Sequence, residues 1–307
     1  MKVLGVVPRG YCKGVVRAID IAKKNANVDT SVSILGMIVH NQYIVNALAD
    51  LGIHTVDIKG KTRLELLDEI NEGKVIITAH GASQDVFDKA KSKGLEVIDA
   101  SCLDVIKTHD LIKEKLNLGY DILYIGKNGH PEAEGALSIN KERVHLISSK
   151  KDIDSVDKSQ KYIMTNQTTM SLYDVYDLCE YAKNILPHVE IEKETCMATR
   201  IRQEAIKNID GDVDIIFIVG DPHSNNTQKL ASIAKDSHHC DIHMIGSIKE
   251  LDRAWLKNKY YAAVSSGAST PTYLTNQIIQ YLKQYDENDP TTYQKPIIEK
   301  EKILNNG

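Results

Sequence analysis

Short runs rich in Val, Ile and Leu punctuate the chain, each leading into a polar or glycine-containing loop and then into residues with apolar positions at helical spacing. The pattern predicts twelve strands. The first is Val3 to Val7. Four follow at Val32 to Val39, Ile53 to Ile58, Val75 to Ala79 and Leu95 to Ile98, and four more at Ile122 to Gly126, Arg143 to Ile147, Lys161 to Thr165 and Val189 to Glu192. The last three are Asp214 to Val219, Asp241 to Ile245 and Tyr260 to Ser265. Helical runs such as Tyr43 to Leu51, Leu64 to Glu72, Leu172 to Leu186 and Leu230 to Lys235 separate them. Strands alternating with helices imply parallel sheets covered on their faces, an α/β protein.

Three cysteines divide this pattern. Cys12, Cys102 and Cys196 stand 90 and 94 residues apart, each just after a strand and just before a helical run. Each therefore lies near a helix start, where unpaired N–H groups and the helix dipole favour an anion such as a thiolate. The chain is expected to form three small lobes, each a mostly parallel four-stranded sheet with flanking helices: residues 13–102, 103–195 and 196–285. The third would be completed by the N-terminal strand within 1–12. The stretch 286–307 is charged, lacks the pattern and is expected to be a peripheral tail.

The polar residues at the strand ends repeat as well. The first strand of each third runs into Val39-His40-Asn41, Gly129-His130-Pro131-Glu132 or His223-Ser224-Asn225-Asn226. The third strand runs into Ala79-His80-Gly81, Asn166-Gln167-Thr168-Thr169 or Gly267-Ala268-Ser269-Thr270. Ligands of parallel α/β sheets bind beyond the carboxyl ends of the strands, so these loops are the candidate site. A single loop histidine is ordinarily only solvated. Three in equivalent loops, with Ser224, Asn226, Ser269 and Thr168, supply neutral donors suited to a phosphate or diphosphate. Neither a phosphate-binding Gly-x-x-x-x-Gly-Lys-Ser/Thr loop nor a Gly-x-Gly-x-x-Gly run is present. Glu132 is the carboxylate of these loops that stands close to a histidine, and C–O cleavage requires such an acid to protonate the departing oxygen. On its own, Glu132 also reads as an acid complementing a helix dipole.

Composition narrows the classes. The 307 residues carry 38 basic and 42 acidic side chains, a formal charge of −4 without a polybasic block, which supports neither nucleic acid nor an anionic membrane as partner. Signal-peptide and membrane-span patterns are lacking, so the expected compartment is the cytoplasm. Five cysteines in such a chain argue for metal or redox chemistry over a disulfide framework. A lone cysteine is ordinarily a small core hydrophobe; three at matching strand ends point to a shared metal centre. Their wide separation disfavours a zinc finger. On a cubane iron-sulfur cluster three thiolates leave one iron open to act on a substrate oxygen. Cys179, within a helical run, reads as core, and His238-His239-Cys240 as a polar loop before a strand.

Eight segments in order carry a resemblance. They are Pro8-Arg-Gly-Tyr-Cys12-Lys-Gly-Val-Val-Arg-Ala18, Val39-His-Asn41, Ala79-His-Gly81, Gly129-His-Pro-Glu-Ala-Glu-Gly135, Asn166-Gln-Thr-Thr169, Thr195-Cys-Met-Ala-Thr199 with Arg202-Gln203, Ser224-Asn-Asn226 and Gly267-Ala-Ser-Thr-Pro271. Together they resemble the LytB/IspH family of 4-hydroxy-3-methylbut-2-enyl diphosphate reductases, over Met1 to about Tyr285. One departure is Asn225, where that family commonly has serine. The resemblance implies a trefoil of three lobes around a 4Fe-4S cluster held by Cys12, Cys102 and Cys196. It implies a diphosphate site of His40, His80, His130, Thr168, Ser224, Asn226 and Ser269, with Asn225 in the same run. It implies proton delivery through Glu132 and Thr168, electrons from a ferredoxin or flavodoxin, and isopentenyl and dimethylallyl diphosphate as products of the last step of the non-mevalonate isoprenoid pathway. Two other classes remain open on the residues alone. A zinc or iron-sulfur hydro-lyase on a phosphorylated substrate would need no electron donor. In a non-catalytic iron-sulfur sensor, Glu132 and the histidines would be superfluous.

Overall fold

Among the described residues, twelve strands assemble into three four-stranded sheets, and every strand pairing is parallel. The computed structural model of the chain describes residues 1–26, 29–192 and 196–305. The strands are β1 (Lys2–Gly5), β2 (Val32–Leu35), β3 (Ile53–Val56), β4 (Lys74–Ile77), β5 (Glu96–Asp99), β6 (Asp121–Ile125), β7 (Val144–Ile147), β8 (Tyr162–Asn166), β9 (Val189–Ile191), β10 (Ile215–Val219), β11 (Asp241–Ile245) and β12 (Tyr261–Ser266). Central strands β2, β8, β10 and β12 are buried at every position, because helices cover both faces. The outer strands β3, β5, β9 and β11 carry His54, Glu96, Asp99, Glu190 and Asp241 at exposed positions, as edges that must stay soluble do.

The three sheets share one topology. Their orders are β3-β2-β4-β5, β7-β6-β8-β9 and β11-β10-β12-β1. In each, the chain steps from the first strand to one side and then returns to the other side for the third and fourth. The point of reversal lies between the first and third strands, beyond whose carboxyl ends ligands of such sheets bind. In the last sheet the fourth strand is the N-terminal β1, paired with β12 from Lys2 opposite Tyr261 to Gly5 opposite Val264.

The fold divides into two compact units: Met1–Val16, His40–Leu48 and Met197–Gly307 form one, Arg17–Val39 and Ala49–Cys196 the other. The first holds the β10 sheet, whose core gathers Phe217, Val264, Ile278 and Leu282. The second holds the β2 and β6 sheets, packed around Leu35, Ile77 and Leu67 and around Leu123, Met164 and Tyr124.

Three expectations need correction. The strand expected over Val32 to Val39 stops at Leu35, because Gly36 turns the chain at φ +82°; Ile38 and Val39 are buried in the loop instead. The helix expected over Leu64 to Glu72 is a single turn, Arg63–Leu66, followed by a 3-10 turn at Leu67–Glu69. The tail is not peripheral: Ile303 and Leu304 are buried, Tyr293 stacks on Tyr285 at 5.7 Å, and the Tyr11 hydroxyl donates to the Ile303 carbonyl at 2.6 Å.

Candidate active site

The loops after the first strands begin alike. The amides of Gly36, Gly126 and Gly220 donate to the carbonyls of Val56, Ile147 and Ile245, the last residues of the neighbouring strands, at 2.9, 3.1 and 2.9 Å. Four residues beyond these glycines stand His40, His130 and Ser224, so the equivalence expected from the sequence is a backbone register. Gly220 is obligatory for another reason: a Cβ there would lie 2.5 Å from the Thr227 hydroxyl. The loops after the third strands close i to i+3 turns, from Gly81 N to Thr78 O, Met170 N to Gln167 O and Thr270 N to Gly267 O. The third turn residue is His80, Thr169 or Ser269. Thr168 is one place earlier, level with Ala79 and Ala268.

Those three level residues receive the cysteines. The amides of Cys102, Cys196 and Cys12 donate to the carbonyls of Ala79, Thr168 and Ala268 at 2.9, 3.3 and 3.0 Å. Helices then open at once: Lys13–Asn25, Leu103–Asn117 and Met197–Lys207. Cys12 and Cys102 already accept the first helical bonds, from Val16 and Ile106. None of the five cysteines is in a disulfide. Three half-buried thiols at helix starts are soft, anion-favoured donors of the kind iron-sulfur clusters take. Cys179 lies inside the helix Leu172–Ile185, buried in its core. Cys240 precedes β11, and burial followed by the Asp241 carboxylate pushes its thiol above the ordinary range. Thr195 lies outside the described residues.

In the unit that holds β10, Ser224 caps the helix Asn225–Ser237, its hydroxyl accepting from the Thr227 amide and standing 3.5 Å from the Ser269 hydroxyl. Ser269 in turn donates to the His40 carbonyl at 3.3 Å. The helix starts five residues before the expected Leu230, which places Asn225 and Asn226 in its first turn, both buried. The Asn226 side chain is 4% exposed, and neither its Oδ1 nor its Nδ2 has a hydrogen-bond partner among the described residues. A buried amide in that condition costs about 1–3 kcal/mol per orphaned group, and a polar ligand relieves it.

In the other unit, His130 caps the helix Pro131–Leu137, its Nδ1 accepting from the Glu132 amide at 3.2 Å. That bond puts the ring proton on Nε2, the tautomer that donates to an anion. The His80 ring meets the His130 ring edge-on at 5.4 Å. Glu132, 1% exposed, receives the Thr168 amide on Oε1 at 2.6 Å and the Thr168 hydroxyl on Oε2 at 3.2 Å. Burial outweighs those bonds and raises its carboxyl to about 7. Sequence reasoning missed Tyr124, fully buried on β6, whose phenol burial and then the Glu132 charge hold well above its ordinary range. Within an apolar strand run, a tyrosine gives no signal of its own.

Residues 3–283 match the LytB protein family. The 4-hydroxy-3-methylbut-2-enyl diphosphate reductase of Geobacillus thermodenitrificans is 48% identical over 300 residues, covering 96% of this chain and 94% of that protein. The enzyme of the same name from Brevibacillus brevis is 47% identical over 299 residues, covering 96% of each. Among solved structures, the Plasmodium falciparum E-1-hydroxy-2-methyl-but-2-enyl-4-diphosphate reductase superposes with a TM-score of 0.86 at 29% identity, over 95% of this chain and 90% of that one. A second, described as (E)-4-hydroxy-3-methyl-but-2-enyl diphosphate reductase, the terminal enzyme of the non-mevalonate pathway, gives 0.67 at 28% identity, over 93% and 100%.

Proposed function

We propose, since the chain belongs to the LytB protein family, that it reduces 4-hydroxy-3-methylbut-2-enyl diphosphate to isopentenyl and dimethylallyl diphosphate, the terminal reaction of the non-mevalonate pathway. The observation that carries this reading is the thrice-repeated register in which a cysteine amide is pinned to the polar loop of the third strand. Such a register ties each thiol to an anion-binding loop of its own sheet.

Cys12, Cys102 and Cys196 would hold a 4Fe-4S cluster, one per chain, which would supply electron transfer and, with three protein thiolates for four irons, a Lewis-acid site for the substrate oxygen. A ferredoxin or flavodoxin delivers the electrons. Each of the three lobes, 13–102, 103–195 and 196–285 with 1–12, contributes one of these cysteines and its own switch-point loops. His40, Ser224, Asn225, Asn226 and Ser269 bind the diphosphate with His80, His130 and Thr168. Asn226 offers both donor and acceptor, and His130 donates from Nε2. Glu132, half protonated at neutral pH, holds the proton that leaves with the substrate hydroxyl as water, and the Thr168 hydroxyl passes a replacement to it. The balance is two electrons and two protons in, one C–O bond broken, one C–H bond formed and one water out. A reducing cytoplasm is the setting that suits five cysteines without a disulfide.

The test is anaerobic purification followed by iron and sulfide assay and turnover of the substrate with a chemical reductant. Brown protein that yields both alkenyl diphosphates supports the reading. Colourless protein, or water addition that proceeds without reductant, refutes it.

A further inference from the structure

Arg63 is a buried cation that the site as described does not use. It opens the short helix Arg63–Leu66, whose start is fixed by the Thr62 and Glu65 capping box. Its side chain turns inward, 9% exposed, and reaches the turn that presents His80. One arm of the guanidinium donates to the Gly81 carbonyl and the other to the Thr78 hydroxyl at 2.6 Å. It also lies against Gly36, where a Cβ would stand 3.9 Å from Nη2. A single planar group thus braces the turn at the carboxyl end of β4 and faces the carboxyl end of β2, the two strands that flank the switch point of their sheet.

The charge is what sets this residue apart. A buried arginine is ordinarily matched by a carboxylate at hydrogen-bond distance. Among the described residues Arg63 forms no ion pair; its partners are a neutral carbonyl and a neutral hydroxyl. Glu134 and Asp57 act on it only at longer range, and burial draws it down to about 10, which leaves it a cation at neutral pH. A desolvated positive charge without a close counter-ion, one residue from a histidine assigned to an anion, has its missing partner in that anion.

We propose that Arg63 is a positioning residue for the diphosphate: it fixes the Thr78–Gly81 turn so that His80 is preorganised, and its uncompensated charge adds to the affinity of the site for the anion. The proposal rests on the reading of His80 as a diphosphate ligand. A lysine cannot replace it fully, because one ammonium cannot hold the carbonyl and the hydroxyl in the same planar fork.

The experiment compares wild type, Arg63→Met, Arg63→Lys, His80→Ala and the Arg63→Met/His80→Ala double variant, all as anaerobic holoenzyme. It measures the Kd for inorganic diphosphate by calorimetry, KM and kcat for the substrate, and cluster absorbance. Arg63→Met should raise Kd and KM by roughly tenfold, the size of one lost net hydrogen bond to a charged group, with kcat and absorbance held within about twofold. Arg63→Lys should fall between it and wild type. The double variant should lose less than the product of the single losses, since both act through one turn. An unchanged Kd in folded Arg63→Met, or a loss in kcat as large as that in affinity, overturns the proposal. Should Arg63→Met fail to fold, Arg63→Lys decides: severalfold weaker diphosphate binding supports the proposal and a wild-type Kd overturns it. If His80→Ala itself binds diphosphate normally, the anion-site reading fails first; if His80→Ala weakens binding and Arg63→Met does not, only the role of Arg63 falls.

Discussion

Replacing Glu132 by Gln should make the protein more stable above neutral pH while nearly abolishing turnover. The amide keeps the size of the carboxyl and an Oε1 for the Thr168 amide, and the Thr168 hydroxyl can accept from its Nε2, so the local packing is retained. What it lacks is the titration. A carboxyl moved from the ordinary 4.5 to about 7 by burial is one whose anion the folded state disfavours by about 3 kcal/mol. Folding therefore favours the protonated form: the contribution is fully present below 4.5 and is lost as pH rises to about 7 and beyond. The stability of Glu132→Gln relative to wild type should grow by about 3 kcal/mol between roughly pH 4.5 and 8, read by urea denaturation of the holoprotein under argon. Turnover gives the opposite sign. Wild-type kcat should drop about tenfold per pH unit above the pKa of about 7, because only the protonated acid delivers. Glu132→Gln should be slower by roughly 10² to 10⁴, about 3–5 kcal/mol in activation free energy, and flat over that range. A variant that keeps the wild-type pH profile would show that the proton comes from another group, and the substrate's own diphosphate would be the next candidate.

Other outcomes follow from the same geometry. Cys12→Ser, Cys102→Ser and Cys196→Ser should each lose visible absorbance and bound iron on anaerobic purification, while Cys179→Ser and Cys240→Ser keep both; cluster loss confined to Cys179→Ser would overturn the ligand assignment. Asn226→Ala should weaken inorganic diphosphate binding by about 1–3 kcal/mol in calorimetry without lowering the melting temperature, since its buried amide has no partner among the described residues to lose; unchanged affinity would mean that the amide serves another purpose. Ile303→Ala, which removes a buried side chain from the tail, should destabilise the fold by about 2–4 kcal/mol in thermal denaturation, and a neutral result would show that the tail is not packed in solution.

The strands were legible because their chemistry is local: β-branched runs with edges marked by charge need no tertiary context to be read. The cysteines and the strand-end loops were legible because they recur in register. What escaped depended on long-range burial. Asn225 to Gln228 form a polar first turn, so apolar periodicity begins only at Leu230 and hides the true helix start. Ile38 and Val39 look like strand yet are buried as loop, because Gly36 has already turned the chain. In the tail, Ile303 and Leu304 are two apolar residues in a charged context, too few to form a pattern. Arg63 at a helix start reads as a solvated cation, and only the fold turns it inward.

The repeated register of glycine turns and cysteine amides has a consequence for recognition. A scaffold that offers the same backbone groups three times cannot by itself tell one end of a molecule from the other. The ligand proposed for it has a diphosphate at one end and a hydroxyl at the other. Direction must therefore be written in the side chains that differ at matched places: His40, His130 and Ser224 at one, His80, Thr169 and Ser269 at the next. In the proposed site the repeated backbone sets where these side chains stand, and the few departures from repetition would set which way round the molecule lies. Making one lobe more like another, as His130→Ser would do, should erode orientation as well as affinity.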